Sequence, residues 1–209
     1  MSDIHSPGLS STLLADVGAS VLQAAIKSLR PGWVLHGPAL TVAVPAGDNL
    51  AIHAALAIAR PGEVLVIDAQ GHTERAVMGG IMCAQAAACG LAGVVIDGAM
   101  RDAQELRAAA LPVFARAISP AGPHKRGGGS VGKAVSCGGV TIRTGDWIFA
   151  DDDGVVAFEP ARGEALVAAA LAKGQAETQR MAAIARGELR PAWLDEALAG
   201  NPIEMAQIR

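Results

Sequence analysis

Leu91-Ala92-Gly93-Val94-Val95-Ile96-Asp97-Gly98-Ala99-Met100-Arg101-Asp102-Ala103-Gln104-Glu105 decides how the rest of the chain is read. The apolar run 91–96 predicts a short buried strand and residues 103–110 predict a helix, so Arg101 and Asp102 fall at a strand-to-helix turn. Turns of this kind present side chains to a crevice at the carboxyl end of a strand. A carboxylate there binds a hard divalent cation through oxygen, and a guanidinium beside it holds a carboxylate or enolate oxygen bidentately. The competing interpretation is an Asp N-cap with a locally paired Arg.

Working outward, residues 11–29 predict a helix with Ser10, Ser11 or Thr12 as N-cap, ended by Pro31-Gly32. A strand over 39–44 leads through the turn Pro45-Ala46-Gly47-Asp48 into a helix over 49–59. A buried strand over 63–69 follows, then a loop over 70–74 and a helix over 76–89. Beyond the opening segment lie a short strand at 112–116 and a Gly-, Pro-, Lys- and His-rich stretch, 119–132, read as a mobile basic loop of the kind that closes over a site. Strands at 134–137, 140–143 and 147–150, the turn Asp151-Asp152-Asp153-Gly154, a strand at 155–158 and an Ala-rich helix over 160–186 complete the pattern. Helix–strand alternation early and a strand cluster late predict a mixed α/β fold rather than a uniform doubly wound sheet.

Nothing divides the 209 residues with a polar or Pro/Ser linker, so one domain is expected over 1–209, with a C-terminal helical extension from about residue 160. Apolar residues make up 51 % and charged residues 18 %, which suffices for a core, but aromatics are only 3 % and many apolar residues are Ala. Small side chains bury little area each, which makes a homo-oligomer the expected route to stability. A net charge of −3 offers no footprint for a phosphate backbone, so nucleic acid is not an expected ligand. Three cysteines without a CxxC pair imply neither a disulfide framework nor a thiolate zinc site, consistent with a reducing cytoplasm. No apolar run approaches a membrane span and the N-terminus carries no leader pattern, so a cytoplasmic protein without membrane contact is expected.

Other polar residues have structural readings at this stage. His53 is expected to pack or cap, whereas His72 and Glu74 follow a strand and are better placed to line a mouth. Asp151-Asp152-Asp153 fits a tight turn rather than a calcium loop. Asp68 and Asp97 end strands, where supporting the ligands of a site and accepting from buried backbone amides explain them equally well. Cys83 and Cys89 read as small buried hydrophobes.

Asp48-Asn49-Leu50-Ala51-Ile52-His53, Gly79-Gly80, Val94-Val95-Ile96-Asp97-Gly98 with Arg101-Asp102, Cys137-Gly138-Gly139-Val140, and Gly145-Asp146 with Asp151-Asp152-Asp153-Gly154-Val155 resemble, in that order, the RraA-like superfamily. That group includes metal-dependent 4-hydroxy-4-methyl-2-oxoglutarate / 4-carboxy-4-hydroxy-2-oxoadipate aldolases and the regulator of ribonuclease E activity. Its signature, a Gly or acid, twenty residues, Arg-Asp and an acid three residues on, is met by Gly80, Arg101, Asp102 and Glu105. The resemblance implies a ββα sandwich of swivelling-domain type, assembled as homotrimers or homohexamers with the site between subunits. It implies Mg²⁺ or Mn²⁺ held by Asp102 and mostly by water. It further implies a 2-oxo acid whose oxo oxygen meets Arg101 and whose carboxylate meets the amides at the start of a Gly79-Gly80-Ile81-Met82 helix. Glu177 is the best match to an acid contributed by a neighbouring subunit; Glu105, one helical turn beyond Asp102, either orients water on the ion or Arg101 or is a solvated residue of the helix face.

These roles are chemically coherent. A helix start with two glycines offers free N–H groups to an anion, and a divalent ion stabilises charge on the enolate as a carbon–carbon bond breaks. No lysine imine is required, and Lys125 and Lys133 are expected to meet a distal carboxylate or solvent. Several aldolases of the family carry an acid at the position of Gly80. Its absence here weakens retro-aldol cleavage, which must deprotonate a hydroxyl unless water or hydroxide on the ion serves as the base, and leaves decarboxylation of oxaloacetate unaffected. The expected activity is a metal-dependent pyruvate-releasing lyase with oxaloacetate decarboxylase activity. The alternative is a non-catalytic, protein-binding regulator of an RNA-processing enzyme.

Overall fold

In the computed structural model, which describes residues 6–201 and 203, the helix predicted over 11–29 stops after six residues. Helix α1 covers Ser11–Asp16, capped by the Ser10 hydroxyl, which accepts the Leu13 amide proton at 3.2 Å. Gly18 then adopts φ +103 and the chain extends into two short strands, β1 (Ser20–Val21) and β2 (Lys27–Ser28). The i, i+4 spacing of Leu22 and Ile26 imitates a helix face, but both are buried in a sheet core, and β1 and β2 satisfy their amides against other strands.

The centre is a parallel ladder. Strand β3 (Leu35–Ala43), helix α2 (Leu50–Leu56), strand β4 (Val64–Met78), helix α3 (Gly80–Ala88), strand β5 (Gly93–Met100), helix α4 (Ala103–Ala108) and strand β6 (Val113–Ile118) follow in order. Pairing is parallel from β3 through β4 and β5 to β6. Successive residues alternate between faces: Leu65 and Ile67 enter one core with α2, α3 and Leu106 of α4, while Val64 and Val66 enter another on the opposite side. All eight residues of β5 are buried, as a strand covered on both faces must be.

Strand β4 departs from the sequence reading, which places a loop at 70–74 and a helix from residue 76. The strand instead continues to Met78, with register shifts around His72 and Ala76, and the helix waits until Gly80. Ala76, Val77 and Met78 are almost fully buried, and Ala76 and Met78 pair with Ala99 and Met100, which a helix there would forfeit. The consequence is that the Gly79-Gly80 turn lies beside the Arg101-Asp102 turn.

The chain continues through β7 (Ser130–Val131), β8 (Val135–Cys137), β9 (Val140–Ile142), β10 (Trp147–Asp151), β11 (Gly154–Phe158), α5 (Pro160–Ala185) and α6 (Leu194–Gly200). The nine-stranded sheet has the order β1-β11-β10-β3-β4-β5-β6-β2, with β7 on β3, and β8-β9 forms a separate hairpin. It curls so that Ile148, Ala150, Val155 and Ala157 of β10 and β11 meet Val64, Val66 and Val95 in one core, giving two β layers and one helical layer. A third core joins α1, β10 and β11 to Leu166, Val167 and Ala170 of α5. The chain divides into Met1–Leu171 and Ala172–Arg209. The extension therefore begins at residue 172 rather than about 160, because the first turns of α5 belong to that third core. In the second unit Met181 of α5 is exposed, as are Leu189 and Trp193 between α5 and α6. No helix among the described residues is long and apolar enough to cross a membrane.

Candidate active site at the ends of β4 and β5

The Arg101 amide donates to the Met78 carbonyl at 3.1 Å, fixing the turn after β5 against the end of β4. Asp102 follows in the left-handed region, φ 60 and ψ 37. For a residue other than Gly that conformation costs about 1–3 kcal/mol, least for Asp and Asn, and it clusters at functional sites. Although Asp102 occupies the N-cap position of α4, its side chain makes no cap bond there. Its Oδ2 accepts the Gly80 amide proton at 2.9 Å and lies 3.6 Å from Arg101 Nε. The N-cap position and the local Arg101 pair of the competing interpretation are found, but the side chain does not cap α4, and the carboxylate is aimed at the start of the neighbouring helix.

Close approach explains both glycines. A Cβ on Gly79 would collide with Asp102 Oδ2 and come within 2.8 Å of Arg101 Cγ, and one on Gly80 would stand 2.6–2.7 Å from the Glu105 carboxylate. Position 80 lacks an acid of its own, yet an acid reaches it: Glu105, exposed on α4, lays its carboxylate over the Gly80 Cα. The inference that no carboxylate stands at this position is corrected accordingly.

The Gly80 amide is engaged by Asp102, so of the amides expected to receive an anion that of Gly79 and, within α3, those of Ile81 and Met82 remain. The latter two lie in the first turn of the nine-residue α3, where the helix itself supplies no acceptor. They border a cleft of about 140 Å³ lined by Gly79, Ile81 and Met82, by Arg101 and Asp102, by Asn49 and His53 of the α2 segment, and by Pro123 and Lys125. Ile81 is 85 % exposed at its edge.

Asn49 received no role from the sequence. It is 1 % exposed, its Nδ2 donates to the Val77 carbonyl at 3.1 Å and to Met82 Sδ at 3.2 Å, and its Oδ1 is buried without a partner. Nε2 of His53, which borders the cleft, is likewise buried and unpartnered. The signals in the sequence are the polar pair Asp48-Asn49 entering an apolar helix and its place in the first stretch that resembles the family. Beneath α3, burial first and then the charges of Asp102 and Glu105 push the Cys83 thiol up to about 12, so it stays protonated.

The stretch 119–132, read as mobile, is pinned along its length. Ser119 donates through its amide to Met100 O at 2.8 Å and through its hydroxyl to Glu74 O at 2.6 Å, Arg75 Nη1 donates to Gly122 O at 2.7 Å, and β7 pairs with β3. Asp68 and Asp97 accept from Gln70, Ser136 and Gly138 amides, Asp97 also pairing with Arg116 at 2.5 Å, which ties the β8-β9 hairpin to the sheet. Asp151 and Asp152 accept from Ser11, Asp153 and Gly32, as a turn reading requires. His72 does not line this cleft, though its Nε2 is buried and unpartnered. Glu177 lies in the second unit, exposed and paired with Lys173 at 3.4 Å one helical turn away.

Fold and cleft together define a class: a ββα sandwich that gathers a carboxylate, a guanidinium and a glycine-led helix start where two parallel strands end. The chain belongs to the RraA-like family, matching the description Aldolase/RraA over residues 9–157. It is 40 % identical over 167 residues to a protein of Halalkalibacterium halodurans provisionally named 4-hydroxy-4-methyl-2-oxoglutarate aldolase, covering 80 % of each. Among solved structures it is similar to the RNA-processing inhibitor RraA of Thermus thermophilus, with TM-score 0.66, 30 % identity, and coverage of 72 % of this chain and 92 % of that one. A protein of Pseudomonas syringae superposes with TM-score 0.75 at 27 % identity, covering 88 % and 90 %.

Proposed function

We propose that this chain is a divalent-metal-dependent carbon–carbon lyase that releases pyruvate from a small 2-oxo-4-hydroxy di- or tricarboxylate and also decarboxylates oxaloacetate. The observation that carries the reading is the Asp102 carboxylate, held in a strained backbone beside Arg101 and turned away from the helix it would otherwise cap. The aldolase name of the Halalkalibacterium halodurans relative supports it.

The donor set suits a hard ion. Asp102 and Glu105 offer oxygen only, and no group of three His, Cys, Asp or Glu side chains among the described residues forms a closed metal cage. Mg²⁺ or Mn²⁺, which keep much of their water, would sit against Asp102 with Glu105 nearby. Such an ion, when bound, supplies Lewis-acid polarisation of the 2-oxo group.

The chain's own groups supply the rest. The Ile81 and Met82 amides, at the positive end of α3, receive the carboxylate next to the oxo group. Arg101 donates to the oxo oxygen, most strongly as negative charge develops there. Lys125 pairs with the distal carboxylate. Glu105, reaching over Gly80, takes the hydroxyl proton directly or through one water as the carbon–carbon bond breaks. Oxaloacetate needs no such base. We further propose a cytoplasmic homotrimer or homohexamer in which Glu177 completes a neighbouring subunit's site.

The similarity to an RNA-processing inhibitor favours a second reading, a protein-binding regulator without catalysis. Pyruvate release from 4-hydroxy-4-methyl-2-oxoglutarate, 4-carboxy-4-hydroxy-2-oxoadipate and oxaloacetate, coupled to a lactate dehydrogenase, separates the two. Magnesium-dependent turnover abolished by EDTA is expected, and no turnover on any of the three would leave the regulator reading.

A further inference from the structure

Asp48 is 4 % exposed at the entry to α2, and its two oxygens serve different segments. Oδ1 accepts the Leu50 amide proton at 2.8 Å, an ordinary helix-start contact. Oδ2 accepts the Arg126 amide proton at 2.7 Å, from the residue after Lys125. Around this bond the segments interlock: the His124 amide donates to Gly47 O at 2.7 Å, the Asn49 amide donates to His124 O at 3.1 Å, and Asp48 and His124 form a parallel bridge. Lys125 is therefore clasped between two anchored neighbours. Immediately beyond come Gly127, Gly128 and Gly129, all with φ between 96 and 100, whose permissive backbone has little preference for this path.

We propose that Asp48 is a positioning residue that holds Lys125 at the mouth of the cleft and so sets affinity for the substrate's distal carboxylate, an inference that rests on reading the cleft as a 2-oxo acid site. A helix-start role alone needs one acceptor; the second oxygen, committed to Arg126, is what that role leaves unexplained. Being ionised, it forms the stronger, charge-assisted kind of hydrogen bond.

Asp48→Ser separates the two contacts, because a serine hydroxyl can cap Leu50 but cannot also reach Arg126. Tryptic cleavage after Lys125 or Arg126 in the native protein, followed by mass spectrometry, should quicken about tenfold in Asp48→Ser, as expected for one charged hydrogen bond lost from a local opening. KM for the dicarboxylate substrates should rise roughly tenfold with kcat kept, and the same change made on Lys125→Ala should raise KM no further. Should Asp48→Ser not fold, Asp48→Asn, which keeps the shape and one acceptor, takes its place. Unchanged cleavage would overturn the proposal, and so would an undiminished KM effect in the Lys125→Ala background. If the unmodified protein released no pyruvate, the functional reading would fall, while the cleavage comparison would still decide whether Asp48 holds the strap.

Discussion

Asp102 Oδ2 accepts the Gly80 amide proton at 2.9 Å, so the side chain at the start of α4 caps the start of α3. One carboxylate thereby couples two strand-to-helix turns and faces the cleft with its charge only partly compensated by Arg101, 3.6 Å away. Asp102→Asn retains a residue that tolerates the left-handed backbone but removes the charge. We expect its Mg²⁺ affinity, by calorimetry, to fall at least about 100-fold, no less than for loss of a group supporting a metal ligand. Unaltered metal binding would remove Asp102 from the metal site.

Arg101→Lys keeps the charge and loses the planar fork. Because the interaction strengthens as the oxo oxygen becomes anionic, kcat should fall on the order of 10² to 10³ with KM little changed. A change confined to KM would assign Arg101 to ground-state binding.

Gly80→Ala places a methyl where the Glu105 carboxylate now lies, and that carboxylate is the mobile end of an exposed side chain, so it should be the part that yields. Retro-aldol turnover should then drop in Gly80→Ala about as far as in Glu105→Gln, the double variant should be no worse than either, and oxaloacetate decarboxylation should be largely spared. Additive losses would show that Glu105 acts elsewhere.

Burial holds the Cys83 thiol at about 12 and raises that of Cys137 as well. With so little thiolate at pH 8, neither should react with iodoacetamide in the native protein, and peptide mapping should find label at the half-buried Cys89 alone. Labelling of Cys83 without unfolding would mean that α3 opens to solvent.

Backbone amides of Leu50 and Arg126 hold the Asp48 carboxyl below its ordinary value of 3.8. A depressed acid stabilises the fold fully above that ordinary value and ceases to do so as pH falls through its folded value. The gap in thermal midpoint between the wild type and Asp48→Ser should therefore persist from neutrality down to about pH 4 and close only in stronger acid. A gap that closes near neutrality would implicate a histidine.

The parallel ladder and the Arg101-Asp102 turn were legible because a buried strand is a continuous apolar run and its helix a periodic one, as in residues 91–105. Local pattern failed where distant partners decide conformation. Leu22 and Ile26 carry helical spacing yet are claimed by the curled sheet, and Ala76 to Met78 read as helix until Ala99 and Met100 are seen to pair with that stretch. The candidate site split along the same line. Arg101 and Asp102 could be named from adjacency in sequence, whereas Asn49 and the Glu105–Gly80 contact arise from side chains meeting across elements, which no spacing in one chain segment encodes.

Strands β1 and β2 are separated by a handful of residues yet lie at opposite ends of the strand order, one on β11 and the other on β6. A sheet usually recruits foreign chains at its margins, where unpaired amides invite another strand. Here a single segment trims both margins to two-residue stubs, one of them carrying Lys27. Neither end of the main sheet therefore offers a long strand edge, and a variant that loosened residues 20–28 would expose two sites for strand addition at once.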